Sequence, residues 1–267
     1  MTTNRIGVFG ANGRMGLALS EAATIKEQTQ LTGAYVRSSS SLLGINVNQV
    51  NSAADSAVSF SVESEVNNVD VLIDFTLPQG MRNHLKTAVA QKLPMVIGTT
   101  GLNADDMALL NDAAKHIPIV FARNYSVGVN VLLNLVQTAA TKFGDDLDIE
   151  IFEAHHRHKI DAPSGTALAI GESIADAKGW NHDDVAVYDR SHVETAKSQN
   201  EIGYSVLRGG DIVGEHTAYF ATMGERLELT HKASSRMTFA LGAVRAACWL
   251  QNKPAGLYDM QDVLDLK

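Results

Sequence analysis

Short apolar runs separated by longer amphipathic stretches set the pattern of the first half of the chain. Arg5-Ile6-Gly7-Val8-Phe9-Gly10, residues 31–37, Val69-Asp70-Val71-Leu72-Ile73-Asp74, Pro94-Met95-Val96-Ile97-Gly98 and Ile117-Pro118-Ile119-Val120-Phe121 are each too short for a helix. Such runs read as strands covered on both faces. Helices are predicted between them over residues 17–23, 78–91 and 103–115, an alternation that calls for an α/β fold with a parallel sheet. Residues 38–50 hold a serine run without a period and read as loop with one short irregular piece.

Beyond Asn124-Tyr125-Ser126-Val127-Gly128 the pattern changes. A helix is predicted over 129–143, a strand over 148–154 and a helix over 164–177. Residues 201–208, 211–222 and 226–232 then alternate apolar and polar positions, with Gly209-Gly210 and Met223-Gly224-Glu225 as turn signals, which predicts antiparallel strands. Residues 237–250 form an amphipathic helix that is expected to return to the first domain. The predicted division is 1–126, 127–236 and 237–267, the middle piece being a second α+β domain with an open mixed sheet.

Gly10-Ala11-Asn12-Gly13-Arg14-Met15-Gly16 lies between a predicted strand and a predicted helix. In that context glycines let backbone amides approach a pyrophosphate at the helix N-terminus, as in a doubly wound, Rossmann-like sheet. The spacing departs from G-x-G-x-x-G, because Ala11 takes the first position with an extra Gly10 before it. A tight strand-to-helix turn is the competing reading. At the end of the second strand, where a carboxylate would hold a ribose diol, the chain has Val36-Arg37-Ser38. Arg37 can pair with a 2′-phosphate, which favours NADPH over NADH, or it can be a solvated arginine. Asp74-Phe75-Thr76, Gly98-Thr99-Thr100-Gly101 and Ala122-Arg123-Asn124-Tyr125 stand at further strand ends, where ligands of such sheets collect.

The densest chemistry lies in Glu153-Ala154-His155-His156-Arg157-His158-Lys159-Ile160-Asp161-Ala162-Pro163-Ser164-Gly165-Thr166. Side chains from His155 to Lys159 can carry protons near neutral pH. Pro-Ser-Gly-Thr then opens a helix whose first N–H groups suit a carboxylate or phosphate. If the strand stays extended, Glu153, His155, Arg157 and Lys159 face one way and His156 and His158 the other. Two other readings remain: a metal site, against which stand the lack of a nearby thiolate and the unfamiliar spacing, and a solvated basic face. Arg157 is a candidate structural partner of Glu153. His84, His116, His182 and His192 read as surface or satisfied core groups, and His216 and His231 sit on strands that can line the pocket.

Composition narrows the classes. The 267 residues carry a formal charge of −8, one cysteine, Cys248, and 45% hydrophobic residues. This argues against general nucleic-acid affinity, and the single thiol fits a reducing cytoplasm. No apolar run approaches the length of a membrane span, and Met1-Thr2-Thr3-Asn4-Arg5 lacks the look of a secretory signal.

The same motifs resemble those of the 4-hydroxy-tetrahydrodipicolinate reductase (dihydrodipicolinate reductase) family. Residues 10–16 look like its nucleotide loop and 153–166 like its substrate signature. Gly98-Thr99-Thr100-Gly101, Asn124 to Asn130, Gly210-Asp211-Ile212-Val213-Gly214-Glu215-His216 and Thr230-His231-Lys232-Ala233-Ser234-Ser235-Arg236 extend the similarity over essentially the whole chain. The resemblance implies His155 as general acid/base and Lys159 as a second proton donor. His156, Lys159, Ser164, Gly165 and Thr166 would hold a small dicarboxylate imine. Nucleotide contacts would fall on Gly10, Ala11, Asn12, Gly13, Arg14, Met15, Arg37, Gly98, Thr99, Thr100, Ala122, Arg123, Asn124 and Tyr125, with no metal. It further implies a homotetramer built through the second sheet and hinge closure of the two domains, for which the small residues near 126–128 and 234–235 are candidate hinges; with the composition above, the expectation is a cytoplasmic enzyme without a nucleic-acid or membrane partner. Many relatives have an acidic residue where Val36 stands, so use of both coenzymes does not follow automatically. A nucleotide-sensing regulator and a dehydrogenase of another small anionic substrate are the rival functions.

Overall fold

The computed structural model describes residues 3–144 and 146–267. It divides into two compact units, residues 1–127 with 236–267 and residues 128–235. The first unit contains β1 (Asn4–Phe9), α1 (Arg14–Ile25), β2 (Thr29–Val36), α2 (Val47–Val50), β3 (Phe60–Val62), β4 (Val71–Asp74), α3 (Pro78–Gln91), β5 (Met95–Ile97), α4 (Ala104–Ala113) and β6 (Pro118–Phe121). The second contains α5 (Val127–Lys142, its first residue in the first unit), β7 (Asp148–His155), α6 (Gly165–Lys178), α7 (His182–Val185), β8 (Ala186–Val187), β9 (Ile202–Arg208), β10 (Gly214–Thr222) and β11 (Glu225–Ala233). Helix α8 (Met237–Trp249), β12 (Gly256–Tyr258) and α9 (Met260–Leu264) belong to the first unit.

In the first unit seven parallel strands run in the order β12-β6-β5-β4-β1-β2-β3. Ile6, Val8, Val71, Ile73, Val96 and Val120 pack one face against α1 and α8, while Phe9, Leu72, Met95, Ile97 and Ile119 pack the other against α3 and α4. Both faces are therefore buried, as the apolar runs require. Small residues let α1 and α8 approach closely, Ala22 and Ala23 on one and Ala243, Ala246 and Ala247 on the other being fully buried. Because all seven strands are parallel, the carboxyl ends of β1, β2, β4, β5 and β6 share one edge, and the order reverses beside β1. Two pieces lie outside the predicted elements, β3 and the C-terminal β12 with α9, which add a strand and a helix to the expected returning helix, while α2 at residues 47–50 falls where a short piece is expected within 38–50.

The second unit is a five-stranded mixed sheet, β11-β10-β7-β9-β8. The hairpin between β10 and β11 forms as expected, turning at Met223-Gly224. The pairing expected across Gly209-Gly210 does not. Strand β7 lies between β9 and β10, parallel to the first and antiparallel to the second. The most deeply buried strand takes the centre: Ile149, Ile151 and Glu153 of β7 alternate on its inner face, each at most 1% exposed. Ile149 and Ile151 pack with Ile170 and Ile174 of α6 and Val136 of α5. Helix α6 starts at Ser164, whose side chain accepts from the Ala167 N–H, and stops at Gly179 in the left-handed conformation (φ 69°).

Candidate active site

The inner face of β7 changes chemistry at its end. Positions that carry isoleucine at 149 and 151 carry Glu153 and His155 one and two pleats on, so period-two alternation places a carboxylate and an imidazole side by side in the same buried row. His155 Nδ1 lies 2.6 Å from Glu153 Oε2. The same carboxylate accepts the Ser164 N–H at 2.9 Å and both terminal nitrogens of Arg208 at 2.7 and 2.8 Å. Arg208 also donates to the Asp161 carbonyl at 2.5 Å, and Lys159 Nζ lies 2.9 Å from Asp161 Oδ2. Glu153 thus ties together the end of β7, the start of α6 and the loop between them.

Burial alone would raise the Glu153 pKa, but the bonds from His155, Arg208 and Ser164 outweigh it and hold the carboxyl at about 2. Across the sheet His216 of β10 stands edge-on to His155, ring centroids 5.1 Å apart, and its Nε2 is 2.9 Å from Ser164 Oγ. Burial first, then the neighbouring His155, lowers the His216 pKa to about 3, so this ring is neutral at physiological pH. His231, its cross-strand partner on β11, is also lowered by burial. Gly214 stands over the outer edge of His155: a Cβ there would lie 3.0 Å from Nε2. Gly165, at the exposed first position of α6, faces open space in which a ligand carboxylate can sit.

His155, Lys159 and Ser164 are therefore joined in one network through Glu153, Arg208 and Asp161, with His156, Gly165 and Thr166 on the same segment. The expected pairing of Arg157 with Glu153 is not found. Arg157 is exposed, and Arg208, separated from Glu153 by 55 positions, takes that place. The strand parity also stops at His155, because the chain turns there and the Lys159 N–H donates to the His156 carbonyl at 3.1 Å. Arg208 carries no signal of this role in the sequence, although it directly precedes Gly209-Gly210, whose backbone continues the pairing of β7: Gly209 N–H donates to the His155 carbonyl at 2.9 Å.

In the first unit the loops after β1, β2, β4, β5 and β6 bring Gly10 to Met15, Arg37, Gly98 to Thr100 and Ala122 to Tyr125 to a single sheet edge. Gly10 adopts φ 63°, and a Cβ on Gly16 would lie 2.1 Å from the Gly10 carbonyl, so both glycines are required for the tight approach of α1. The helix is capped by Gly13 without a side-chain hydrogen bond, and Arg14 and Arg37 are exposed at the same edge. This donor set fits a dinucleotide pyrophosphate with an additional phosphate. The Tyr125 ring is turned away from it, buried, with its hydroxyl 2.9 Å from the Ile97 carbonyl, so a contact there would be made by backbone. Among the described residues no group of three or more His, Cys, Asp or Glu side chains is arranged to hold a metal ion, and no helix is long and apolar enough to cross a membrane.

Comparison with known proteins converges on one family. The models for the N-terminus and C-terminus of dihydrodipicolinate reductase match residues 4–125 and 128–264. A 4-hydroxy-tetrahydrodipicolinate reductase of Pseudoalteromonas translucida is 84% identical over the full length of both chains. One from Pseudomonas fluorescens is 57% identical, covering 98% of this chain and 99% of its own. Among solved structures, the dipicolinate-bound dihydrodipicolinate reductase from Paenisporosarcina superposes with a TM-score of 0.74 at 22% identity, covering 98% of this chain and 99% of that one. GenD2 from gentamicin A biosynthesis, solved in complex with NAD, shares the fold at 11% identity and a TM-score of 0.60, covering 100% and 91%. On the two family models and the near-identical relative, the chain belongs to the dihydrodipicolinate reductase family, a family of oxidoreductases.

Proposed function

We propose that residues 153–166 with Arg208 form the substrate site of this reductase, and that the glycine-loop edge of the first unit is its nicotinamide dinucleotide site. The family's reaction is the reduction of 4-hydroxy-tetrahydrodipicolinate to tetrahydrodipicolinate with loss of water, a step of diaminopimelate and lysine biosynthesis. The observation that carries the assignment of residues is the buried Glu153 carboxylate, bound at once to His155 and to the first turn of α6.

With its Nδ1–H given to Glu153, His155 presents Nε2 as the atom that exchanges a proton with the substrate. Lys159 is the second proton donor, released from Asp161 as substrate carboxylates approach. Ser164, Gly165, Thr166 and His156 receive those carboxylates. His216 Nδ1 is buried without a hydrogen-bond partner among the described residues, which favours the tautomer carrying its proton on Nε2. That proton goes to Ser164 Oγ, leaving the Ser164 hydroxyl proton for a carboxylate oxygen. When bound, the coenzyme supplies a hydride from the nicotinamide C4. The cationic groups offset the charge that hydride addition develops on the nitrogen side of the ring.

NADPH is the preferred coenzyme, with NADH accepted. In support, Arg37 is exposed at the end of β2 beside the buried Val36, and the carboxylate nearest that strand end in sequence pairing, Glu63, faces His84 at 3.3 Å. The reading extends to a cytoplasmic homotetramer joined through the second sheet, whose outer strand β11 is largely exposed; sedimentation equilibrium tests the assembly.

The activity is tested by following NADPH and NADH oxidation with substrate generated in place from pyruvate and aspartate semialdehyde by the preceding synthase. Oxidation that depends on the synthase and is faster with NADPH is expected. Oxidation with simple keto acids instead would move the chain to another dehydrogenase reaction.

A further inference from the structure

His84 is absent from the mechanism, yet it is among the most constrained ionisable groups of the first unit. It lies in α3, 3% exposed, with its ring stacked on Phe9 at 3.8 Å between centroids. Nδ1 is 2.6 Å from Asp74 Oδ2 at the end of β4, and Nε2 is 3.3 Å from Glu63 Oε1 just beyond β3. One ring thus faces two carboxylates. Each of these acids is tied to the sheet edge where the coenzyme loops gather. Asp74 Oδ1 accepts the Thr76 N–H at 2.7 Å, the Thr76 hydroxyl at 2.6 Å and the buried Thr99 hydroxyl at 3.2 Å. Thr76 in turn closes on the glycine loop, its methyl 2.7 Å from where a Cβ on Gly10 would stand. On the other side the Glu63 N–H donates to the carbonyl of Val36, the residue before Arg37. Gly80, one turn before His84, keeps room for this arrangement: a Cβ there would lie 2.9 Å from Thr76 Oγ1 and 3.3 Å from His84 Cε1.

We propose that His84 is a positioning residue for the coenzyme, its imidazole linking Asp74, which sets the Thr76 and Thr99 turns and the glycine loop, to Glu63, which adjoins Arg37. The inference rests on the dinucleotide site assigned above. The ring is hydrogen-bonded to Asp74 through Nδ1 and meets Glu63 across Nε2 as an ion pair without a hydrogen bond, so the second arm of the link exists only while the ring is charged and is lost on deprotonation. Asp74 from β4 and Glu63 from the β3 end are the charged groups that face the ring, while β1 contributes the neutral Phe9. Burial opposes protonation, but hydrogen bonding and charge from Asp74 and Glu63 prevail and raise the His84 pKa above 6.5. Coenzyme affinity therefore falls as pH rises through that raised value.

The test is the dissociation constant of NADPH, and in parallel NADH, for the full chain without substrate, by titration calorimetry from below neutrality to alkaline pH. NADH excludes titration of the 2′-phosphate as the cause. The wild-type protein is expected to lose affinity several-fold with rising pH. His84→Gln, which reaches at most one carboxylate and does not titrate, is expected to bind several-fold more weakly at neutral pH with a flat profile. Glu63→Gln, at a partly exposed position, is expected to shift the wild-type transition to lower pH. Thermal melts establish that both variants are folded; should His84→Gln fail to fold, Glu63→Gln decides alone. A flat wild-type profile, or variants that reproduce the wild-type profile, would overturn the role of His84 and leave the dinucleotide site standing. No binding of either coenzyme at any pH would overturn both.

Discussion

Arg208 meets Glu153 through two parallel hydrogen bonds, 2.7 and 2.8 Å, beneath the imidazole of His155. The pair is largely buried, with side-chain exposures of 19% and 1%, and it joins β9 to β7, the strand that carries His155, the proposed acid/base. Removing one member strands the other charge, a loss of about 3–5 kcal/mol for buried pairs. Arg208→Ala is therefore expected to lower the melting temperature and to reduce kcat by more than an order of magnitude. Arg208→Lys retains the charge but not the fork, and should recover stability better than kcat. Melting curves alongside steady-state kinetics check this; equal recovery of both would contradict it.

Acid sensitivity should appear in two stages. His216 is depressed to about 3 in the folded protein, so the unfolded chain binds that proton first, and stability falls as pH drops below 6.5. Glu153, held at about 2, adds a second loss below 4.5. His84 has the opposite sign: its raised pKa contributes stability at low pH that is lost as pH rises. Urea unfolding as a function of pH is the measurement, and His216→Asn is expected to reduce the upper stage, leaving the part contributed by His231.

Gly214 offers a steric test of His155 as the proposed acid/base. A Cβ 3.0 Å from His155 Nε2 must displace the ring by a few tenths of an ångström. Gly214→Ala should lower kcat about tenfold, because small misplacement of a proton-transfer group is costly, while coenzyme affinity stays unchanged. An unaltered kcat would remove the assignment of Nε2 as the working atom.

For coenzyme choice, Arg37→Ala should raise KM for NADPH about tenfold through loss of one charge-assisted contact and leave KM for NADH nearly unchanged. Because Arg37 is exposed, the melting temperature should not move. Equal effects on both coenzymes would place Arg37 outside the phosphate contact.

The elements that could be read from sequence are those whose signal is local. Helix α3 runs over the predicted residues 78–91, with Pro78 in its first turn and Lys92 in the left-handed conformation after its last. The glycine loop and the Pro-Ser-Gly-Thr helix start were equally plain. Partnership across the sheet was not. Alternation identified β9 and β10 as strands but says nothing of which strands they pair with, and the glycines between them suggested a hairpin that β7 interrupts. Arg208 escaped notice for the same reason, since its bond to Glu153 spans 55 positions and Arg157 stood nearer in the chain. Strand β12, only three residues long, is too short for any period to register.

The most direct measurement is the turnover of His155→Ala and Lys159→Ala with 4-hydroxy-tetrahydrodipicolinate and saturating NADPH, set beside the NADPH dissociation constant of each. If these two residues manage the protons of the reduction, kcat falls by about two orders of magnitude or more in each variant while NADPH binding is unchanged. Wild-type kcat in both would contradict the account and move the chemistry away from the Glu153 network.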